Sequence, residues 1–201
     1  MAKKNSPRSS NATQKGAAKE GYFLSDVQEL RRRARQHIEE GAITDSYKAD
    51  KDLVCKVLNE ALATEIVCVL RYKRHFFMAT GIHANAVAAE FQEHAADEQE
   101  HADQIAERIT QIGGEPNFNP EGLASRSHSQ YVAGESLMDM IKEDLVAERI
   151  AIESYAEIIR FLGDRDITSR RLMEQILEKE EEHANDMKDL MATIDPTKKG
   201  D

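Results

Sequence analysis

One pattern occurs twice in this chain and limits what it can become. Glu65 is followed thirty-three residues later by Glu98-Gln99-Glu100-His101, and Glu148 is followed thirty-two residues later by Glu180-Glu181-Glu182-His183. Each copy holds a lone glutamate and a Glu-x-x-His step, whose i, i+3 spacing puts acid and imidazole on one helix face. A glutamate from each of two helices, with Glu-x-x-His from each of two more, lets a four-helix bundle hold two metal ions in its core.

Helical periodicity turns these residues inward. Val54, Leu58, Ala61, Val69, Tyr72 and Phe76 form one apolar stripe, and the step missing from it is Glu65. Phe91, His94, Glu98, His101 and Ile105 share a second stripe; Leu145, Glu148, Ile152 and Tyr155 a third; Ile176, Glu180, His183 and Met187 a fourth. Each helix therefore carries an acid at a core position near its middle. An unpaired carboxylate in an apolar core costs several kcal/mol at least, so four of them require neutralisation. Two divalent cations supply it, and oxygen and imidazole donors without thiolate suit iron, manganese or zinc more than copper(I).

The rest of the chain agrees with an all-α fold. Charged residues make up 32%, aromatics 5%, and there is no tryptophan. Four long helices are expected, over about residues 46–79, 85–112, 134–162 and 166–194. Short turns close the first and second pairs, while residues 113–133 form one long crossover between helices two and three, with room for a short helix at 120–127. Each lone glutamate and its Glu-x-x-His partner stand about equally far from their turn, so all six donors can meet in one layer. Ahead of the bundle, Ser25-x-x-Gln28 looks like a capping box opening a short helix that ends at Gly41, with Val27, Leu30, Ala34 and Ile38 as its apolar stripe.

Charge divides the chain unevenly. Residues 1–19 hold Lys3, Lys4, Arg8, Lys15 and Lys19 with no acid, against 22 basic and 37 acidic residues in the remainder. The expected organisation is a flexible basic tail (1–20), an N-terminal helix (21–45), the di-metal bundle (46–195) and a short C-terminal tail (196–201). The tail reads either as a polyanion-binding arm, with DNA as the partner, or as a solvated terminus. No apolar run approaches a membrane span, and Cys55 and Cys68 lie too far apart on one helix to pair, so a cytoplasmic protein with free thiols is expected.

The segments Leu58–Glu65, Asp97–Asp103, Asp144–Glu148 and Ile176–His183 resemble the ferritin superfamily, bacterioferritin in particular. The resemblance covers about residues 50–194. It implies a ferritin-like four-helix bundle with ferroxidase activity: Fe(II) is oxidised with O2 or H2O2 at two irons per subunit, and Fe(III) is stored in a hollow homo-oligomeric shell. It further implies Glu98 and Glu180 as bridging ligands, Glu65 and Glu148 as terminal ligands, and His101 and His183 as imidazole donors. Tyr72 matches a tyrosine near the family's centre, with a redox role and plain core packing both open. Gln99 stands where bacterioferritin carries its haem-ligating methionine, so no haem is expected. The absent fifth helix and the lysine-bearing tail look like the Dps group of twelve-subunit shells, within the branch that keeps a bacterioferritin-type centre inside one bundle. Some members of that branch place a cysteine pair beside the iron, which leaves a thiol role open to Cys68. His94, one turn before Glu98, reads as an outlying iron ligand or gate, or as a hydrogen-bonded neighbour of the site. The rival functions are a di-metal peroxidase or manganese catalase, and a nucleoid-type DNA-condensing protein.

Overall fold

A computed structural model describes residues 26–194; the basic tail, Ser25 and residues 195–201 lie outside them. The helices, in chain order, are α1 (Val27–Arg33), a 3-10 turn (Ile38–Glu40), α2 (Lys51–Met78), α3 (Ala84–Gln111), α4 (Leu123–Arg126), α5 (Leu137–Leu162) and α6 (Ile167–Ile194). α2 packs on α3 and α5 on α6 as two hairpins, which meet through α2 against α5 and α3 against α6. Among the described residues, no helix is long and apolar enough to cross a membrane.

Local chemistry sets the helix starts. The Asp50 carboxylate accepts the Leu53 amide at 3.1 Å, so α2 begins at Lys51 and not at Ser46 as expected. The chain before it is drawn aside, because the Tyr47 hydroxyl donates to Asp166 at 3.0 Å. Ser136 caps α5 through the Asp139 amide, and the left-handed Gly134 just before it (φ +66°) excludes the earlier start expected there. Asp166 accepts the Ser169 amide at 2.9 Å where α6 opens.

The short leading helix departs from expectation. Asp26 caps it, accepting the Gln28 amide at 2.8 Å, while the Ser25 of the expected capping box lies outside the described residues. The helix stops at Arg33 well before Gly41, and Val27 and Ile38 of its supposed stripe stay exposed at 57% and 75%. A helix this short is marginal unless tertiary packing supports it, and α1 buries none of its residues.

The crossover is anchored along the whole length of α2. Asn59 donates to the Glu115 carbonyl and accepts from the Asn117 amide, and Thr64 accepts the His128 amide. Arg71 reaches Ser129 and the Gln130 carbonyl, and His75 reaches the carbonyls of Val132 and Ala133. The connection therefore climbs the bundle and includes the short helix α4, as its length demanded.

Two apolar clusters fill the interior. One contains Leu58, Ile105, Ile109, Tyr155, Met173 and Ile176, the other Tyr72, Phe91, Ile141 and Met187. Between them lies a polar layer.

Candidate metal centre

That layer brings together all six residues singled out by the repeated pattern. Glu65, Glu98, Glu148 and Glu180 are each at most 1% exposed, and His101 and His183 are buried with them. Two overlapping groups result: Glu65, Glu98, His101 and Glu180 in one, and Glu98, Glu148, Glu180 and His183 in the other. Within each group every residue offers a ligand atom within 4.8 Å of the others. Glu98 and Glu180 belong to both. Glu98 turns Oε2 toward His101 Nδ1 and Oε1 toward His183 Nδ1, each at 3.5 Å. Glu180 does the same, with Oε1 at 3.0 Å from His101 Nδ1 and Oε2 at 3.5 Å from His183 Nδ1. His101 Nδ1 also lies 3.5 Å from Glu65 Oε2.

These atoms converge without bonding to one another. Both histidine Nδ1 atoms, both Glu180 oxygens, Glu65 Oε2, Glu98 Oε1 and Glu148 Oε2 are buried and make no hydrogen bond. Such orphans normally carry a desolvation cost of about 1–3 kcal/mol each, more when charged, so a cluster of seven asks for a ligand. A buried acid and imidazole cluster able to bind two metal ions fits that demand.

Without cations, protons take over part of the neutralisation. Burial, reinforced by the charges of Glu98 and Glu180, holds the Glu65 and Glu148 carboxyls well above the usual range. Burial works against Glu98 as well, but contacts from Glu65, His101 and His183 outweigh it and keep that carboxyl well below the range. Burial opposes charge on the imidazoles. Glu180 and Glu98 nonetheless push His183 up to about 11, and Glu180, Glu65 and Glu98 raise His101 further still.

The surrounding residues show a feature that the sequence reading missed. Tyr72 donates its hydroxyl to Glu148, and Tyr155 donates to Glu65 in the same way. By periodicity alone Tyr155 is one more core aromatic. A signal was available, because Tyr155 follows Glu148 by seven residues just as Tyr72 follows Glu65. Asp97 was also missed: its Oδ2 meets His183 Nε2 at 3.2 Å and orients that ring. His94 is buried, stacks on His183 with ring centroids 3.9 Å apart, and places Nδ1 3.2 Å from the Tyr72 hydroxyl. Burial, then the neighbouring His183, lowers its pKa to about 3.

Cys68 is buried one turn past Glu65, with Sγ 3.5 Å from Arg71 Nη2, while Cys55 is partly exposed; both are free thiols. Arg71 is fully buried and spends its ion pair on Asp144 at 2.7 Å. A shallow cleft of about 260 Å³ between α3 and α6, lined by Asp97, Glu100, His101 and Lys179 among others, leads from the surface to His101.

The profile of the ferritin-like domain family matches residues 55–196. The chain belongs to the ferritin-like family. Bacterioferritin from Desulfovibrio desulfuricans is 31% identical to this ferritin-like chain over 134 residues, 66% of this chain and 71% of that protein. A nutrient stress-induced DNA-binding protein from Synechococcus is 29% identical over 137 residues, 65% of this chain and 76% of the relative. Among solved structures, the dodecameric thioferritin of Bacteroides fragilis, a bacterioferritin-related protein, superposes with a TM-score of 0.72 at 30% identity, covering 75% of this chain and 91% of its own. The pattern of two lone glutamates and two Glu-x-x-His steps therefore belongs to a ferritin-like bundle related to bacterioferritins and Dps-like mini-ferritins.

Proposed function

We propose that this chain is a ferroxidase that stores and detoxifies iron, oxidising Fe(II) with O2 or H2O2 and retaining Fe(III) mineral in a hollow homo-oligomer. One observation carries the reading: Glu98 and Glu180 each turn one oxygen to His101 and the other to His183, so each carboxylate spans two adjacent cation positions. Glu98 and Glu180 are then the bridging ligands, Glu65 and Glu148 the terminal ones, and His101 and His183 donate through Nδ1. Iron is the preferred metal, with manganese and zinc compatible with the same donors. Two bound ferrous ions supply one electron each to the oxidant. The protein's part is electrostatic and positional. Four carboxylates favour the higher charge of the ferric state, and the two tyrosines hold Glu148 and Glu65 in place. Tyr72 also meets His94, which gives its hydroxyl a second polar neighbour.

The assembly is a shell of twelve subunits, a number supported by the dodecameric Bacteroides fragilis relative. It works in the bacterial cytoplasm. The basic residues among 1–20, which precede the bundle of residues 46–195 in sequence, bind DNA; the similarity to a protein named for DNA binding supports this.

The decisive experiment adds Fe(II) to metal-free protein in air and follows ferric absorbance and particle mass together. A stable particle that gains many irons is expected. Rapid peroxide turnover without retained iron would replace storage with the peroxidase or catalase reading. Deleting residues 1–19 should abolish DNA gel shifts and leave iron oxidation intact, and the lost affinity should have been steeply salt-dependent.

A further inference from the structure

We propose that Glu90, His94 and Asp186 form a third, mononuclear site for a divalent first-row metal ion, present in only one half of the bundle. His94 is 2% exposed, and its Nδ1 is occupied by Tyr72. Its Nε2 faces Asp186 Oδ2 at 3.6 Å and Glu90 Oε1 at 3.8 Å. Both separations are too long for hydrogen bonds, and Nε2 makes none with any described residue. They are near the edge of a coordination polyhedron, roughly 3.4 Å for a tetrahedron with bonds of ~2.1 Å. The unbonded nitrogen of a residue only 2% exposed thus points between two partly exposed carboxylates that can reach an ion arriving from solvent.

Protonation strengthens the case. The Tyr72 hydroxyl spends its single proton on Glu148, so it must accept from His94 Nδ1–H. With Nδ1–H given to Tyr72, Nε2 is the ring atom left facing the two carboxylates, where a cation held between them would find one nitrogen and two oxygen donors. This step rests on Glu148 being an ionised ligand of the metal pair, whereas the geometry of the three residues does not.

The other half of the bundle shows that folding does not require these side chains. The relation that carries Glu98 onto Glu180 and His101 onto His183 carries Glu90, His94 and Asp186 onto Leu172, Ile176 and Gln104. Ile176 is buried in an apolar cluster, with Leu172 packed against it. At two of these three positions packing is satisfied by aliphatic residues, yet α3 places an acid and an imidazole there. One nitrogen and two oxygen donors with no thiolate suit Mn(II), Fe(II), Co(II) or Zn(II), with water completing the shell.

Anaerobic Co(II) titration of the full chain, read by calorimetry and native mass spectrometry, tests this. The unmodified protein should bind three ions per subunit, E90Q/D186N two, and E98Q/E180Q one. Circular dichroism establishes that each variant is folded. Two ions in both the unmodified protein and E90Q/D186N would overturn the third site while leaving the pair intact, and so would a third ion that survives in E90Q/D186N. A single ion that is retained in E98Q/E180Q and lost in E90Q/D186N would support the third site and remove the metal pair.

Discussion

The α2–α3 and α5–α6 hairpins deliver the same donors to one layer but surround them differently. Each lends a tyrosine to the other's lone glutamate, Tyr72 to Glu148 and Tyr155 to Glu65. From there the likeness ends. Tyr72 continues to His94 and to the acids at the surface, whereas Tyr155 is closed off in an apolar cluster with Ile176. The residue before the glutamate shared by both groups is Asp97 in one hairpin and Lys179 in the other. Asp97 backs His183, and His101 has no such partner among the described residues. The donor set is constrained by the charge of the ions it must hold, while its surroundings are free to diverge, so two chemically alike positions become unequal.

The harshest test of the likeness removes what both halves share. Glu98→Gln or Glu180→Gln takes a charged donor from both positions at once, and Co(II) affinity should fall by at least about 100-fold, in line with the several kcal/mol of an unmatched buried charge. Affinities are read by calorimetry, and equal, small losses in both variants would contradict shared ligation. Asp97→Asn probes the inequality. It should weaken one of the two Co(II) ions by roughly 10–100-fold and spare the other, whereas Lys179→Met should leave both unchanged. Tyr155→Phe and Tyr72→Phe come next. Each leaves a buried glutamate without its donor and should lower the unfolding free energy of the metal-free protein by about 1–3 kcal/mol in denaturant titrations. Both should slow Fe(II) oxidation, Tyr72→Phe more than Tyr155→Phe, since Tyr72 is also linked to His94.

The smallest contrast lies at the two ends of the bundle. At one end Asp144 is wholly buried between Arg71 and His75; at the other Asp166 meets Ser169, Arg108 and Tyr47. Burial pushes the Asp166 carboxyl up, but the Ser169 hydroxyl and amide and the Arg108 charge outweigh it and hold the group below its ordinary value. A depressed folded pKa contributes stability that is fully present above the unfolded value near ~3.9 and is lost as pH falls through the folded one. Asp166→Asn should therefore cost about 1 kcal/mol at neutral pH, with the gap to the unmodified protein closing below about pH 4. A gap that persisted into strong acid would show that the carboxylate charge is not what Asp166 contributes.

Legibility followed the range of the interactions. The four long helices, the turns and the crossover could be read because periodicity and Gly/Pro punctuation act within a few residues. Boundaries slipped at 46–50 and 134–136, where Tyr47 and Gly134 answer to distant contacts or to backbone conformation. The α1 stripe misled because an apolar repeat indicates which face could be buried and not whether anything is there to cover it. Asp97 and Tyr155 went unnoticed because one looked like any surface acid and the other like any core ring.

By itself, the sequence determined that six donors lie inward at one depth, since helical period and the cost of buried charge are properties of each segment alone. Only the tertiary structure decided that Tyr72 meets Glu148 across 76 residues and Tyr155 meets Glu65 across 90. It alone brought Glu90, His94 and Asp186 together. Such contacts depend on how helices rotate and slide against one another, and that is set by the packing of whole faces, which no single helix encodes.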